Sequence, residues 1–189
     1  MIGINYTMNL VGNLLISPPV VKNNFWQKTV IMVTEDHEQG STGVIINKRS
    51  NMSVVEFCKQ LGYIVDLPGF VYIGGPVNPK NLSFLHSNDW VCNNTLRINE
   101  HFSLSSSHEM VPRLAAGDMP QQWRIILGVS GWAPGQLQGE IEGTPPWKHE
   151  NSWCITQSNS ELVFGNDHNA QWCNAIDQSA QEFAQNLLT

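Results

Sequence analysis

A chain of 189 residues with 10 Lys and Arg against 16 Asp and Glu carries a formal net charge of −6, with 41% hydrophobic and 14% charged residues. That length suits one domain able to bury its apolar surface without metals or disulfides, and that apolar content excludes an intrinsically disordered chain. No apolar run approaches the ~20 residues that span a bilayer, and the acidic balance argues against a generic grip on nucleic acid, which needs clustered Lys and Arg.

The first seven residues, Met1 to Thr7, hold neither a basic stretch nor an apolar core, so they are expected to form a tail ahead of a single domain from Met8 to Thr189, not a secretory signal. Cys58, Cys92, Cys154 and Cys173 form no C-x-x-C. They read as thiols of a reducing cytoplasm, with no structural zinc and no cofactor expected.

Short strands and helices alternate along the chain. Leu10 to Ile16 reads as a strand stopped by Pro18-Pro19. The β-branched run Thr29 to Thr34 reads as a buried strand, Glu35 to Gly40 as a polar turn, and Gly43 to Asn47 as the hairpin partner. Ser53-Val54-Val55-Glu56 has capping-box spacing and predicts a helix ending at Gly62. Phe70 to Ile73 predicts a strand running into Gly74-Gly75-Pro76, and Asn81 to His86 and Thr95 to Ile98 two more around a polar turn. Ser106 to Glu109 repeats the capping-box spacing and predicts a helix ending at Gly117. Arg124 to Ser130 is a strand, followed by a Gly/Trp/Gln-rich loop and the Pro/Gly stretch Gly143 to Pro146. Trp153 to Gln157 predicts a strand that pairs with Leu162 to Phe164. In a last helix, about 169–188, Trp172, Ile176, Ala180, Phe183 and Leu187 fall on one apolar stripe, as a helix packed on the core requires.

Five segments stand in a characteristic order: Leu10-Val11-Gly12-Asn13-Leu14-Leu15-Ile16-Ser17-x-Pro19, Gly40-Ser41-Thr42-Gly43-Val44-Ile45-Ile46-Asn47, Gly74-Gly75-Pro76-Val77, Phe84-Leu85-His86 and Gly131-Trp132-x-x-Gly135-Gln136-Leu137-x-x-Glu140. On these the chain resembles the YqgE/AlgH family of bacterial proteins, from about Met8 to about Trp172. The resemblance implies an α+β fold: a complex single domain with a mixed, barrel-like β-sheet core flanked by helices. It implies a cytoplasmic protein with no established reaction, one branch being named for an association with transcriptional control of alginate synthesis. The chain departs from the family pattern in places. Glu35-Asp36 stands where relatives carry Glu-His, Arg49 replaces a common proline, Asn81 replaces a common arginine, and Trp147 follows a short insertion. An activity that needs that histidine or arginine is not expected here.

Candidate chemistry concentrates in a few residues. Gly74-Gly75-Pro76 after a strand is either an anion-binding nest or a tight turn. Gly131, Trp132, Gly135, Gln136 and Glu140 bring together a stacking face, a two-way amide, glycines that allow close approach and a carboxylate. They suit a pocket for a flat polar ligand or a protein hot spot; the alternative is a loop whose Trp plugs the core and whose Gln satisfies the loop backbone. Glu35 and His86 are weak catalytic candidates that would form an acid–base pair only if the fold joins them. Asp36, His37 and Glu38 are weighed as metal ligands and set aside, because neighbours on a turn rarely point together. Asn47 follows its strand as a polar end residue. If these strand ends share one edge they build one concave site; if the strands pair in hairpins, Asn47 lies far from Glu35.

The leading expectation is a non-enzymatic binding or regulatory protein that holds a small polar ligand or a protein partner. The alternative is a hydrolase or transferase acting on a small anionic metabolite, with His86 or Glu35 as base. Direct nucleic-acid binding and membrane insertion are not expected.

Overall fold

The computed structural model describes residues 9–147, 153–165 and 167–188, so the expected tail lies outside the described residues. Residues 10–12 lead through a turn into β1 (Asn13–Ile16). β2 (Val30–His37) and β3 (Gly40–Ile45) form the expected antiparallel hairpin, with Ile31 opposite Ile45. The polar stretch from Glu35 to Gly40 is a turn only at Glu38-Gln39, because strand pairing continues through Glu35, Asp36 and His37 to Gly40. Polar side chains do not end the ladder here, since they find partners across it: Ser41 Oγ donates to Asp36 (2.6 Å) and Thr42 Oγ1 to Glu35 (3.3 Å).

β4 (Arg49–Ser53) runs into α1 (Val54–Gln60). The predicted capping box forms, with Glu56 N–H donating to Ser53 Oγ (3.1 Å) and Ser53 N–H to Glu56 Oε2 (3.0 Å). β5 (Phe70–Ile73) has the expected bounds, and β6 (Val77–Ser87) contains the strand expected from Asn81. β7 (Thr95–Arg97) follows, and β8 (Phe102–Ser105) is a strand not among those expected. The second capping box does not form. Glu109 accepts from Asn93 Nδ2 (2.8 Å), and α2 (Met110–Ala115) starts after Glu109 with no side-chain cap.

β9 (Trp123–Trp132) extends the predicted strand at both ends, and the expected loop beyond it closes into α3 (Gln136–Glu142). β10 (Cys154–Gln157) pairs with β1, not with Leu162 to Phe164. Those residues belong to α4 (Ser160–Phe164), because Asn159 Oδ1 accepts the N–H of Leu162 (2.9 Å) and caps a helix there. α5 (His168–Asn186) is the predicted last helix.

One sheet runs β10-β1-β2-β3-β9-β6-β8-β7, with β5 on β9 and β4 on β5. Every pair is antiparallel except β5 with β9, and the sheet curls into a half-barrel, so the α+β class and the mixed, barrel-like core expected from the resemblance are both observed. Leu14, Met32, Val44, Leu85, Phe102 and Ile126 fill the concave side; Leu15, Ile31, Val33, Ile45 and Trp132 pack on the outer side.

α5 docks differently from its predicted stripe. Ala175 is fully buried, Gln178 Nε2 donates to Thr156 Oγ1 (2.8 Å) and Ser179 Oγ to the Ile155 carbonyl (2.8 Å). Trp172 and Ile176 are half-buried, but Phe183 and Leu187 are exposed. A 19-residue helix is about 28 Å long, and the four-residue β10 it lies on covers only about 13 Å, so the helix outruns its sheet.

Candidate functional site

The hairpin of β2 and β3 carries an irregularity that shapes the concave face. Along β2, Val30 and Met32 point into the inner core while Ile31 and Val33 join the outer one. The register then shifts between Val33 and Glu35. The extra residue breaks the alternation, so Thr34 and Glu35, adjacent in sequence, both line the concave side. A β-bulge re-aims a side chain in this way.

They line a cavity of about 330 Å³. Thr34, Ser83 and Val44 are its buried floor, and Leu104 and Val129 supply apolar wall. Asn81, Asn94 and Ser106 stand exposed at its rim. Thr42 Oγ1 lies 3.0 Å from Thr34 Oγ1 and donates to Glu35 Oε2 over 3.3 Å. Among the described residues, Glu35 Oε1, the hydroxyls of Ser83 and Ser106, and the side-chain amides of Asn81 and Asn94 have no hydrogen-bond partner. Ser83 is only 4% exposed. Among the described residues no Lys, Arg or His lines this cavity.

The Gly/Trp/Gln segment lies on the other face of the same sheet. Ser41 pairs with Trp132 and Thr42 with Gly131, so this end of β9 runs alongside the hairpin. Trp132 inserts into the outer core. Glu140, 5% exposed on α3, accepts from Trp132 Nε1 (3.0 Å) and Trp153 Nε1 (2.8 Å) with one oxygen, and from Gln136 Nε2 (2.8 Å) with the other. Gln136 Oε1 in turn accepts the N–H of Ala133 (3.0 Å), which closes the loop onto the helix; Gly135 supplies a left-handed N-cap (φ +74°). These side chains fill the core and satisfy the loop backbone, as the structural alternative requires.

The remaining sequence candidates serve the backbone. Gly74 donates its N–H to the Leu127 carbonyl (2.8 Å) and accepts from Ile45 N–H (2.9 Å) and Ser130 Oγ (3.1 Å), so its amide is engaged in the sheet and not aimed at an anion. A methyl group at Gly74 or Gly75 would collide with the backbone of Gly128 or Val129, which explains glycine at both. Pro76 is exposed beside them. Asn47 accepts from Val30 N–H (2.9 Å) and donates to the Lys28 carbonyl (2.8 Å); it sits at the far end of the hairpin from Glu35, as antiparallel pairing demands.

Glu35 and His86 do not form a pair. Glu35 is joined through Thr42 to Gly131, whereas His86 lies opposite Trp123 on the same strand β9. Eight residues of strand separate those registers by roughly 25 Å. His86 is fully buried, with Nδ1 2.8 Å from the Ser87 carbonyl and Nε2 2.8 Å from Ser105 Oγ. The carbonyl fixes the proton on Nδ1, and Nε2 accepts from the serine hydroxyl. Burial pushes its pKa down. Asp36 is held by Ser41 beside an open groove of about 1060 Å³ that His37, Glu38 and Gly135 also line. Among the described residues no three His, Cys, Asp or Glu side chains gather as metal ligands.

Two features were not among the sequence candidates. The cavity residues Thr34, Thr42, Ser83 and Asn94 meet only through strand register; Glu35, a weak catalytic candidate, and Asn81, noted as a departure, were the signals pointing there. Arg124 is 4% exposed, donates to the carbonyls of Ile46 and Gly165, and lies 4.4 Å over the Tyr72 ring. Burial brings its pKa down to about 10, so it stays charged and clamps three segments together.

The model of a family described as AlgH-like matches residues 14–184. A UPF0301 protein of Gluconobacter oxydans (strain 621H) is 35% identical over 174 residues, spanning 89% of this chain and 90% of that one. A UPF0301 protein of Marinomonas sp. (strain MWYL1) is 34% identical over 157 residues, 81% of this chain and 80% of the other. Among solved structures, the solution structure of the AlgH protein from Pseudomonas aeruginosa superposes with a TM-score of 0.73 at 26% identity, covering 91% of this chain and 89% of that one. A crystal structure of a Corynebacterium diphtheriae protein shares the fold, with a TM-score of 0.67 at 23% identity over 86% of this chain and 83% of the other.

Proposed function

This chain belongs to the AlgH-like family, and we propose that it is a binding protein that holds a small polar ligand in the concave cavity beside Glu35. The observation that carries this reading is a set of polar groups without a partner among the described residues that face one space: Glu35 Oε1, the Ser83 hydroxyl that opens into the cavity, and the rim groups of Asn81, Asn94 and Ser106. Every buried side-chain nitrogen and oxygen of the described residues has a hydrogen-bond partner; the groups around this cavity are left open because they face its space, where a bound molecule can complete them. A cavity of about 330 Å³ lies at the small end of the roughly 300–1,000 Å³ range of ligand pockets.

The Gly/Trp/Gln segment supports the site from behind. Gly131 is the ladder partner of Thr42, and Trp132 with Glu140 anchors that end of β9 through the outer core. On this reading the segment positions the cavity wall and does not touch the ligand. No helix among the described residues is long and apolar enough to cross a membrane, and all four cysteines are free thiols, which suits a reducing cytoplasm.

The test is a thermal-shift screen with amines, polyols, sugars and amino acids on the parent chain and on Ser83→Leu, which fills the cavity floor. A ligand at 100 times its Kd adds about 2.7 kcal/mol. That gain should appear in the parent chain and vanish in Ser83→Leu. A stabilising ligand that acts equally on both refutes the cavity as its site.

A further inference from the structure

We propose that the ligand of this cavity is a small molecule bearing a primary ammonium group, an inference that rests on the binding role proposed for the same site. Among the described residues Glu35 is the one acidic side chain on the cavity wall, and no Lys, Arg or His lines the space to offset it. Part of its surface is removed from water, so its field is screened less than that of a surface carboxylate. An anion would meet that field unfavourably. A neutral polyol would satisfy hydrogen bonds but leave the charge unanswered.

The geometry also separates one cation from another. Thr42 Oγ1 takes one acceptor site of Glu35 Oε2, which leaves Oε1 as the oxygen with all of its sites open. A guanidinium is at its best when it grips both carboxylate oxygens in a planar fork. An ammonium needs only one, and its three N–H donors suit Oε1 together with the hydroxyls of Thr34 and Ser83 on the cavity floor. A metal ion would need several oxygen ligands around it, and among the described residues Glu35 is the only carboxylate on this wall. Beyond the polar floor, Leu104 and Val129 offer apolar wall for an alkyl segment, and the amides of Asn81 and Asn94 can take a polar tail at the rim.

The experiment is an NMR titration of the full chain, isotopically labelled, at neutral pH with four probes that share one alkyl chain: n-butylamine, n-butylguanidine, n-butanol and butyrate. The readout is the backbone amide shifts of Thr34, Thr42 and Ser83. The amine is expected to move them at lower concentration than the other three. Glu35→Gln is expected to weaken amine binding about ten- to hundredfold, the worth of a hydrogen bond to a charged group. Its effect on butanol should be much smaller than its effect on the amine. Glu38→Gln, which removes the same charge from the hairpin tip outside the cavity, is expected to change amine binding less than about twofold, because an exposed charge contributes little. Asn81→Lys places a competing ammonium at the rim and should suppress the amine selectively, a second route should Glu35→Gln fail to fold. Butanol or butyrate binding as tightly as the amine at those amides overturns the ammonium assignment and leaves the cavity reading standing. Equal binding of the guanidine overturns the one-oxygen argument and with it the choice of ammonium. If no probe moves those amides, the cavity reading falls and this inference falls with it.

Discussion

Two glutamates stand on opposite faces of one sheet, and their surroundings could hardly differ more. Glu140 faces the outer core, 5% exposed, and takes hydrogen bonds from two indoles and an amide. Glu35 faces the concave side, half-buried, with a single bond of 3.3 Å from a threonine and open space in front of it. Both lack an ion-pair partner among the described residues. The fold uses the hydrogen-bonding capacity of the first and leaves that of the second largely unused. Richness in polar and aromatic residue types therefore points to the face whose hydrogen-bonding capacity the fold itself consumes. The proposed site rests instead on unused capacity beside a cavity.

The comparison breaks most visibly through Trp132. Trp132→Ala removes a buried indole and one donor to Glu140, and should cost about 3–5 kcal/mol in urea unfolding. A loss below about 1 kcal/mol would mean that the outer core is not what anchors β9. Glu140→Gln comes next: its NH2 group would face donors where an oxygen accepted, so about 1–3 kcal/mol should be lost. Third, a buried group that is neither carboxylate sets a baseline for acid titrations. Burial depresses the pKa of His86 from its ordinary 6.5, so the unfolded chain takes up the proton first. Its contribution to stability is then complete above about pH 6.5 and declines as the pH falls through the folded value. That slope between pH 7 and 5 should persist in Glu35→Gln and Glu140→Gln and flatten in His86→Gln. The smallest effect belongs to Glu35→Gln, which should shift stability by no more than about 0.5 kcal/mol, since nothing in the fold depends on the charge. A cost equal to that of Glu140→Gln would erase the distinction between the two residues.

How much of this was legible beforehand depends on whether the determining interaction is local. The capping box at Ser53, the β5 strand and the hairpin of β2 with β3 follow from neighbouring residues, and all three form. The cap expected at Ser106 fails because Asn93, far off in the chain, takes the Glu109 carboxylate. The helix at Leu162 replaces a predicted strand because Asn159 caps it, a local signal that the short apolar run Leu162 to Phe164 masks. For the site, the Trp132 to Glu140 group does assemble as a unit, and the separation of Asn47 from Glu35 follows from hairpin pairing. The cavity was not legible, because the bulge at Thr34 that turns Glu35 inward exists only relative to the register of β3. Strand alternation alone puts Glu35 on the same face as Val33.

The position of β9 bears on how the chain is made. β9 pairs with β3, β5 and β6, yet it follows all three in the sequence. A nascent chain that has emerged only as far as Gln122 already holds eight of the ten strands, but the β1–β3 group, the β4–β5 pair and the β6–β8 group are separate pieces, each with an unpaired edge waiting for the same partner. Unpaired edges invite association with other chains. The interval before β9 leaves the ribosome is thus when this protein most needs protection, and a nonsense mutation just ahead of Trp123 would release a single chain that carries three unpaired sheet edges and lacks the strand that closes them.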